Sequence, residues 1–318
     1  RATGPCAAVL PSHSASRHCV DSNNSIHIKS CRLMSTTAEI AAPLGGNKLY
    51  QERARAALPL LVRQAAAAKP IFYSALAEEL GMPNPRNLNY VLGSIGQAMV
   101  RLSKQWKATV PPIQCLVVNK VTGIPGEGIG WFLITKEEFA KLPLRRRREI
   151  VQAELQLIYA YPHWDEVLKE LELTPIETNF TNDVAKAAGG FGGGESAAHK
   201  RLKEYVANNP HVIGLPKSMP MGTTEYGLPS GDFLDVSFKS KKIWAAAEVK
   251  SQTSDQADIV RGVFQCVKYQ AVLDAVLLSE SKSQDAIAIL VLESKLPNHL
   301  RPLCNLLGIE VVDGVSPK

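Results

Sequence analysis

The chain has 318 residues, 45% of them hydrophobic and 21% charged, with a formal net charge of +6. That is room for two modest globular domains, and no apolar run approaches the roughly 20 residues of a membrane helix, so no membrane partner is expected. The charge suits a polyanionic partner without demanding one. Six cysteines without a Cys-x-x-Cys and seven histidines without a His-x-x-x-His argue against a disulfide frame or a structural zinc.

Residues 1–46 show neither helical nor strand periodicity and are expected to be a disordered leader. Residues 1–33 are rich in Ser and His with only Asp21 acidic, which partly fits a mitochondrial presequence. Residues 47–134 read as a mainly helical domain. Helical spacing runs through LYQERARAALPLLVRQAAAA, where Pro59 is expected to kink or split the helix. Ser74 is placed as the cap of a short helix ended by Gly81, and Asn84-Pro85 starts a second. The core stripe of that second helix is Leu88, Val91, Leu92, Ile95 and Met99. Its other face carries Arg86, Asn87, Asn89, Tyr90, Ser94 and Gln97, side chains able to meet phosphates and base edges. CLVVNKVTGIPGEGIGWFL then reads as two short strands about a Gly/Pro turn, a wing.

Residues 135–189 are assigned as a helical connector and Gly-rich linker. Arg145 to Arg148 precede an amphipathic helix there, and Gly192 to Gly194 beyond it look like a joint. From residue 190 the order is helix, strands, helix, strand, helix, strand, which suits a mixed sheet covered by helices. The long helix through DIVRGVFQCVKYQAVLDAVLL has Val263, Val267, Ala271 and Ala275 among its inward candidates.

The chemistry concentrates in SGDFLDVSF and IWAAAEVKS. Because strand side chains alternate, Glu248 and Lys250 project to one side while Val249 turns into the core. Asp235 lies 13 positions before Glu248. Two carboxylates and an ammonium group so placed suit phosphodiester hydrolysis, with Mg2+ (or Mn2+) held by Asp235 and Glu248 and Lys250 orienting water or stabilising phosphate charge. Asp232 is a rival ligand, although alternation puts it on the opposite face from Asp235. Glu195 and His199 share a helix face; for His199 a surface or hydrogen-bonding role is expected.

This ordered set resembles the PD-(D/E)xK nuclease superfamily over residues 190–318. The resemblance implies a restriction-endonuclease-like α/β fold, with Glu195 joining Asp235 and Glu248 at the metal. It also implies that Gln265 and Tyr269, spaced as in RecB-like members, position the site or the DNA. No proline precedes Asp235, a departure from the family pattern. FYSALAEELGMPNPRNLNYVLGSIG with PPIQCLVVNKVTGIPGEGIGWF is similar to the winged-helix DNA-binding part of alkylguanine-DNA alkyltransferases and alkyltransferase-like proteins. The reactive Pro-Cys-His-Arg segment of those enzymes corresponds here to Gln114-Cys115-Leu116-Val117, which lacks the histidine that makes a thiolate, so Cys115 is expected to be structural.

The expected function is a metal-dependent DNA endonuclease of defence, restriction or repair, acting on duplex DNA in the cytoplasm, on the nucleoid if bacterial. Arg86, Asn87, Asn89, Tyr90, Arg261 and Lys268 are its expected DNA contacts, and a homodimer is plausible for cutting both strands. The alternative is a catalytically inactive nuclease-fold protein that binds DNA or recognises damage.

Overall fold

The computed structural model describes residues 41–189 and 196–317. Residues 1–40 of the expected leader, Cys6, Cys19, Cys31, the Gly192 to Gly194 joint and Glu195 therefore lie outside the described residues. Residues 41–46, expected as the end of the leader, pack against the fold instead: Ala41 and Leu44 are buried, and Gln51 Nε2 donates to the carbonyls of Pro43 and Gly45 at 2.7 and 2.6 Å.

The N-terminal region is a helical layer. Helix α1, Leu49–Ala66, continues through Pro59 as one element. Pro59 leaves the Arg55 carbonyl without its helical donor, but the flanking turns are rich in Ala and Leu and buried, so propensity and packing carry the helix across. A two-residue strand β1, Ile71–Phe72, leads into α2, Tyr73–Glu79. Phe72 is the cap position of α2, so Ser74 sits inside the first turn and not at the cap assigned to it. Asn84 Oδ1 accepts the Arg86 N–H at 3.0 Å and opens a 3-10 turn that runs into α3, Leu88–Trp106. The stripe Leu88, Val91, Leu92, Ile95 and Met99 is buried, while Arg86, Asn87, Asn89 and Tyr90 are exposed. Ser94 is buried too, which removes it from the expected contact face.

Strand β2, Val117–Val118, pairs in parallel with β1. The second strand of the expected wing does not form. Glu127–Ile129 is a 3-10 turn followed by α4, Gly130–Leu133. A Cβ on Gly130 would lie 2.7 Å from Phe139 Cβ, so close packing at that residue requires glycine and not a strand residue with a side chain. Helices α5 (Lys136–Lys141), α6 (Leu144–Ala160), α7 (Trp164–Glu170) and α8 (Thr181–Ala188) follow. Arg145 to Arg148 lie within the first turns of α6, where Arg145 and Arg146 pair with Glu149.

The C-terminal region is a five-stranded mixed sheet between helices, the α/β layer that the order of its elements predicts. Its strands are β3 (Thr223–Gly227), β4 (Phe233–Lys239), β5 (Ile243–Lys250), β6 (Asp285–Leu292) and β7 (Glu310–Val312), in that spatial order. β3, β4 and β5 are antiparallel neighbours; β5, β6 and β7 are parallel. Helix α9, Ala197–Asn208, covers one face with Leu202 and Val206, against Ala245, Ala247 and Val249. Helix α10, Gln256–Ser279, covers the other against Trp244 and Ala246. A short α11, Arg301–Leu307, precedes β7.

The buried stripe of α10 runs through Ile259, Val263, Cys266, Leu273 and Leu277. Ala271 and Ala275, expected inside, are exposed. Steps of four residues drift around a helix of 3.6 residues per turn, and the true stripe alternates steps of three and four. Side chains also join the two regions: Glu79 takes both Arg63 nitrogens at 2.7 and 2.9 Å and a further hydrogen bond from Asn305 Nδ2.

Candidate active site

Strand alternation along β5 sends Trp244, Ala246 and Glu248 to the α10 side of the sheet. The register between β4 and β5, which pairs Val236 with Ala247, puts Asp235 beside Glu248. Asp235 Oδ2 accepts the Val249 N–H at 2.9 Å, and its other oxygen lies 3.4 Å from His199 Nε2 on α9. Lys250 Nζ lies 2.9 Å from Glu248 Oε1 and 3.3 Å from Asp258 Oδ1 at the start of α10. The acids, both lysines (Lys203 and Lys250) and His199 line a cleft of about 780 Å³. Its floor is recessed: the side chains of Glu248 and Lys250 are 4% and 10% exposed, and that of Asp235 is 17% exposed.

Burial there sets the protonation chemistry. Loss of water, helped by the nearby Asp235 charge, pushes the Glu248 carboxyl up to about 7 against the opposing pull of Lys250. Burial would also raise Asp235, but the His199 contact, the Val249 N–H and the Lys250 charge outweigh it and hold that carboxyl below its ordinary range. The hydrogen bond to Asp235 raises His199 in return. For Lys250, burial works against the charged form, yet Glu248 and Asp258 overcome it and raise the ammonium above its usual value. Two neighbouring carboxyls are thus driven in opposite directions, the pattern of a site that divides acid and base tasks.

Gln265 also lines this cleft, and its Oε1 is buried without a hydrogen-bond partner among the described residues. Tyr269 donates from its hydroxyl to the Phe233 carbonyl at 3.0 Å; burial and then the Glu248 charge push its pKa up, so it is a neutral donor. Asp232, the rival ligand, is outside the cleft lining, held by Lys268 at 2.7 Å and Ser230 at 2.8 Å. Arg261 lines the cleft and lies 3.3 Å from Asp258. Arg86 and Asn87 of the 3-10 turn and Asn89 and Tyr90 of the first turn of α3 contribute nothing to this cleft. Cys115 is fully buried, and burial followed by the Glu154 charge raises its thiol, the reverse of what an alkyl acceptor needs.

Close packing fixes the two β5 side chains. A Cβ on Gly262 of α10 would lie 2.8 Å from Lys250 Cε and 3.5 Å from Glu248 Cγ. The helix therefore presses directly on the acid and the ammonium.

Sequence reasoning missed strand β3 and, with it, Glu225. This residue falls in register opposite Asp235, between the pairs Thr224–Val236 and Tyr226–Leu234. It has a left-handed backbone at φ +52, and its carboxylate pairs with Lys203 of α9 at the cleft wall. TTEYG is short and polar and carries little strand signal of its own. The role of Asp258 as second partner of Lys250 needed the tertiary packing.

Among the described residues no group of three His, Cys, Asp or Glu side chains is gathered so as to hold a metal ion. The carboxylates that line the cleft are Glu225, Asp235, Glu248, Asp255 and Asp258. No protein-family model, curated protein or solved structure matches the chain.

Proposed function

We propose that the chain is a Mg2+- or Mn2+-dependent DNA endonuclease whose helical N-terminal region binds DNA and whose C-terminal sheet cuts it, in restriction or repair. The observation that carries this reading is the meeting of Asp235, Glu248 and Lys250 in one recessed cleft. A pair of carboxylates suits a hard divalent ion that keeps several waters, as Mg2+ does, and Asp235 and Glu248 would be its protein ligands. When bound, the ion supplies charge neutralisation and a more acidic water.

The side chains have separable tasks. Lys250, steadied by Glu248 and Asp258, offers its ammonium to charge that grows on the phosphate oxygens or orients the attacking water. Asp235, kept ionised by the Val249 N–H and His199, remains available as an acceptor. Gly262 holds Lys250 and Glu248 in register by leaving no room for them to move toward α10. The N-terminal module raises the local concentration of DNA at the cleft, through Arg86, Asn87, Asn89 and Tyr90 on its exposed helix start.

The test is a nicking assay on supercoiled DNA with Mg2+ or Mn2+. Wild-type protein is expected to nick, Glu248→Ala to lose at least roughly a hundredfold in rate, and chelator to abolish the reaction. The lack of a three-ligand group among the described residues favours one second reading, a DNA-binding or damage-recognition protein on a nuclease-like sheet. That reading wins if purified protein binds DNA and leaves plain, single-stranded and alkylated substrates uncut.

A further inference from the structure

A second groove, of about 400 Å³, opens beside the cleft between α8 and α10. The two share Arg261 and Gln265, so they adjoin along α10. Its apolar walls are Val184, Ala187 and Ala188 of α8 and Phe264 of α10. Phe264 is 39% exposed, and it stands between Arg261 and Lys268, three residues before and four after it. On a helix that spacing stacks cation, ring and cation on one surface. At the junction, Gln265 Oε1 is a buried acceptor with no partner among the described residues.

We propose that this groove is a base-stacking subsite for an unpaired DNA strand, whose neighbouring phosphate is the one presented to Asp235, Glu248 and Lys250. This rests on the nuclease reading of the cleft. An exposed aromatic ring offers its face to a base of any sequence, and flanking cations follow the backbone. The groove has the size of a small-ligand pocket, enough for a base turned out of its stack. Recession of the cleft points the same way. Glu248 and Lys250 lie almost wholly out of solvent, where a flexible strand reaches more easily than the rigid backbone of a double helix.

The decisive experiment measures fluorescence anisotropy of a labelled oligonucleotide in EDTA, so that binding is read without cleavage, with the Mg2+ nicking assay run in parallel. Wild-type protein is expected to bind a single strand, or a duplex with a single-stranded flap, more tightly than a blunt duplex. Phe264→Ala is expected to weaken single-strand binding roughly 5- to 100-fold and to change blunt-duplex binding by less than about twofold. Phe264→Tyr, which keeps the ring, should bind as wild type does. Phe264→Leu keeps an apolar contact without a ring and should fail like alanine, even if the alanine variant proves unstable in a thermal melt.

Equal single-strand binding by wild type and Phe264→Leu overturns the proposal. So does a wild-type preference for blunt duplex, or tighter binding of RNA than of DNA of the same sequence. A protein that binds single strands through Phe264 yet never nicks would sink the nuclease reading and leave the stacking subsite standing. One that nicks duplex with no dependence on Phe264 would do the opposite.

Discussion

Two buried carboxylates, one in each region, show how differently this chain uses charge. Glu79 in the helical layer is 6% exposed and saturated: Arg63 grips it with two nitrogens, and Asn305 adds a third donor from the opposite region. Glu248 in the sheet is just as hidden, at 4%, but it opens onto a cleft and shares one ammonium with Asp258. Glu79 therefore reads as a fastener between regions. Glu248 carries an electrostatic cost that its own surroundings do not cancel, since burial drives its carboxyl up to about 7. Buried charge with full satisfaction argues for structure; buried charge facing open space argues for a site.

The sharpest way to break that contrast is to remove Glu79. Glu79→Ala leaves the Arg63 guanidinium, itself 6% exposed, without its counter-charge. The expected loss is about 3–5 kcal/mol of stability, read as a lower denaturation midpoint with an unchanged slope. A variant as stable as wild type would show that the pair fastens nothing.

Glu248 should respond with the opposite sign. Its folded pKa, about 7 against an ordinary 4.5, means that the metal-free folded state keeps a proton the unfolded state has lost. Stability therefore falls as pH rises between those two values and is fully lowered above the upper one. A difference of that size corresponds to at most roughly 3 kcal/mol. Glu248→Gln is expected to flatten this pH dependence in EDTA and to raise Tm near pH 8, while abolishing nicking. A glutamine variant less stable than wild type at that pH would make Glu248 a structural residue like Glu79.

How far the site was legible follows from the same electrostatics and from periodicity. Asp235, Glu248 and Lys250 could be read because alternation in a strand needs only local sequence. The sheet with its covering helices could be read for the same reason. Glu225 could not be read, because its strand is short, polar and half-exposed, and because its place opposite Asp235 depends on the register of β3 against β4. Asp258 needed the helix to pack before its link to Lys250 existed. The expected wing failed at Gly130, where close approach to the start of α5 outweighed a weak strand signal. Ser94 failed because the polar face of α3 is narrower than its composition suggests.

Gly262 tests the contrast with the smallest change. In a helix interior, Gly→Ala gains about 1 kcal/mol from propensity, and at an open position that gain would prevail. Here the new methyl would meet Lys250 Cε at 2.8 Å and Leu290 Cδ1 at 2.9 Å, with Glu248 Cγ at 3.5 Å. Overpacking of that kind costs about 1–3 kcal/mol, so the two effects nearly offset and the fold should lose at most about 2 kcal/mol. The geometry does not recover in the same way. The end of the Lys250 chain is the softest of the three obstacles and must give, which moves the ammonium away from Glu248. A displacement on the order of 1 Å at a reacting group lowers rates roughly a hundredfold. Gly262→Ala is therefore expected to fold with near-normal Tm while losing roughly 10- to 100-fold in nicking rate, mostly in kcat. Gly128→Ala, where a Cβ meets nothing within 4 Å, supplies the control and should retain wild-type cleavage. Equal activity in the two variants would mean that α10 does not hold Lys250 in place.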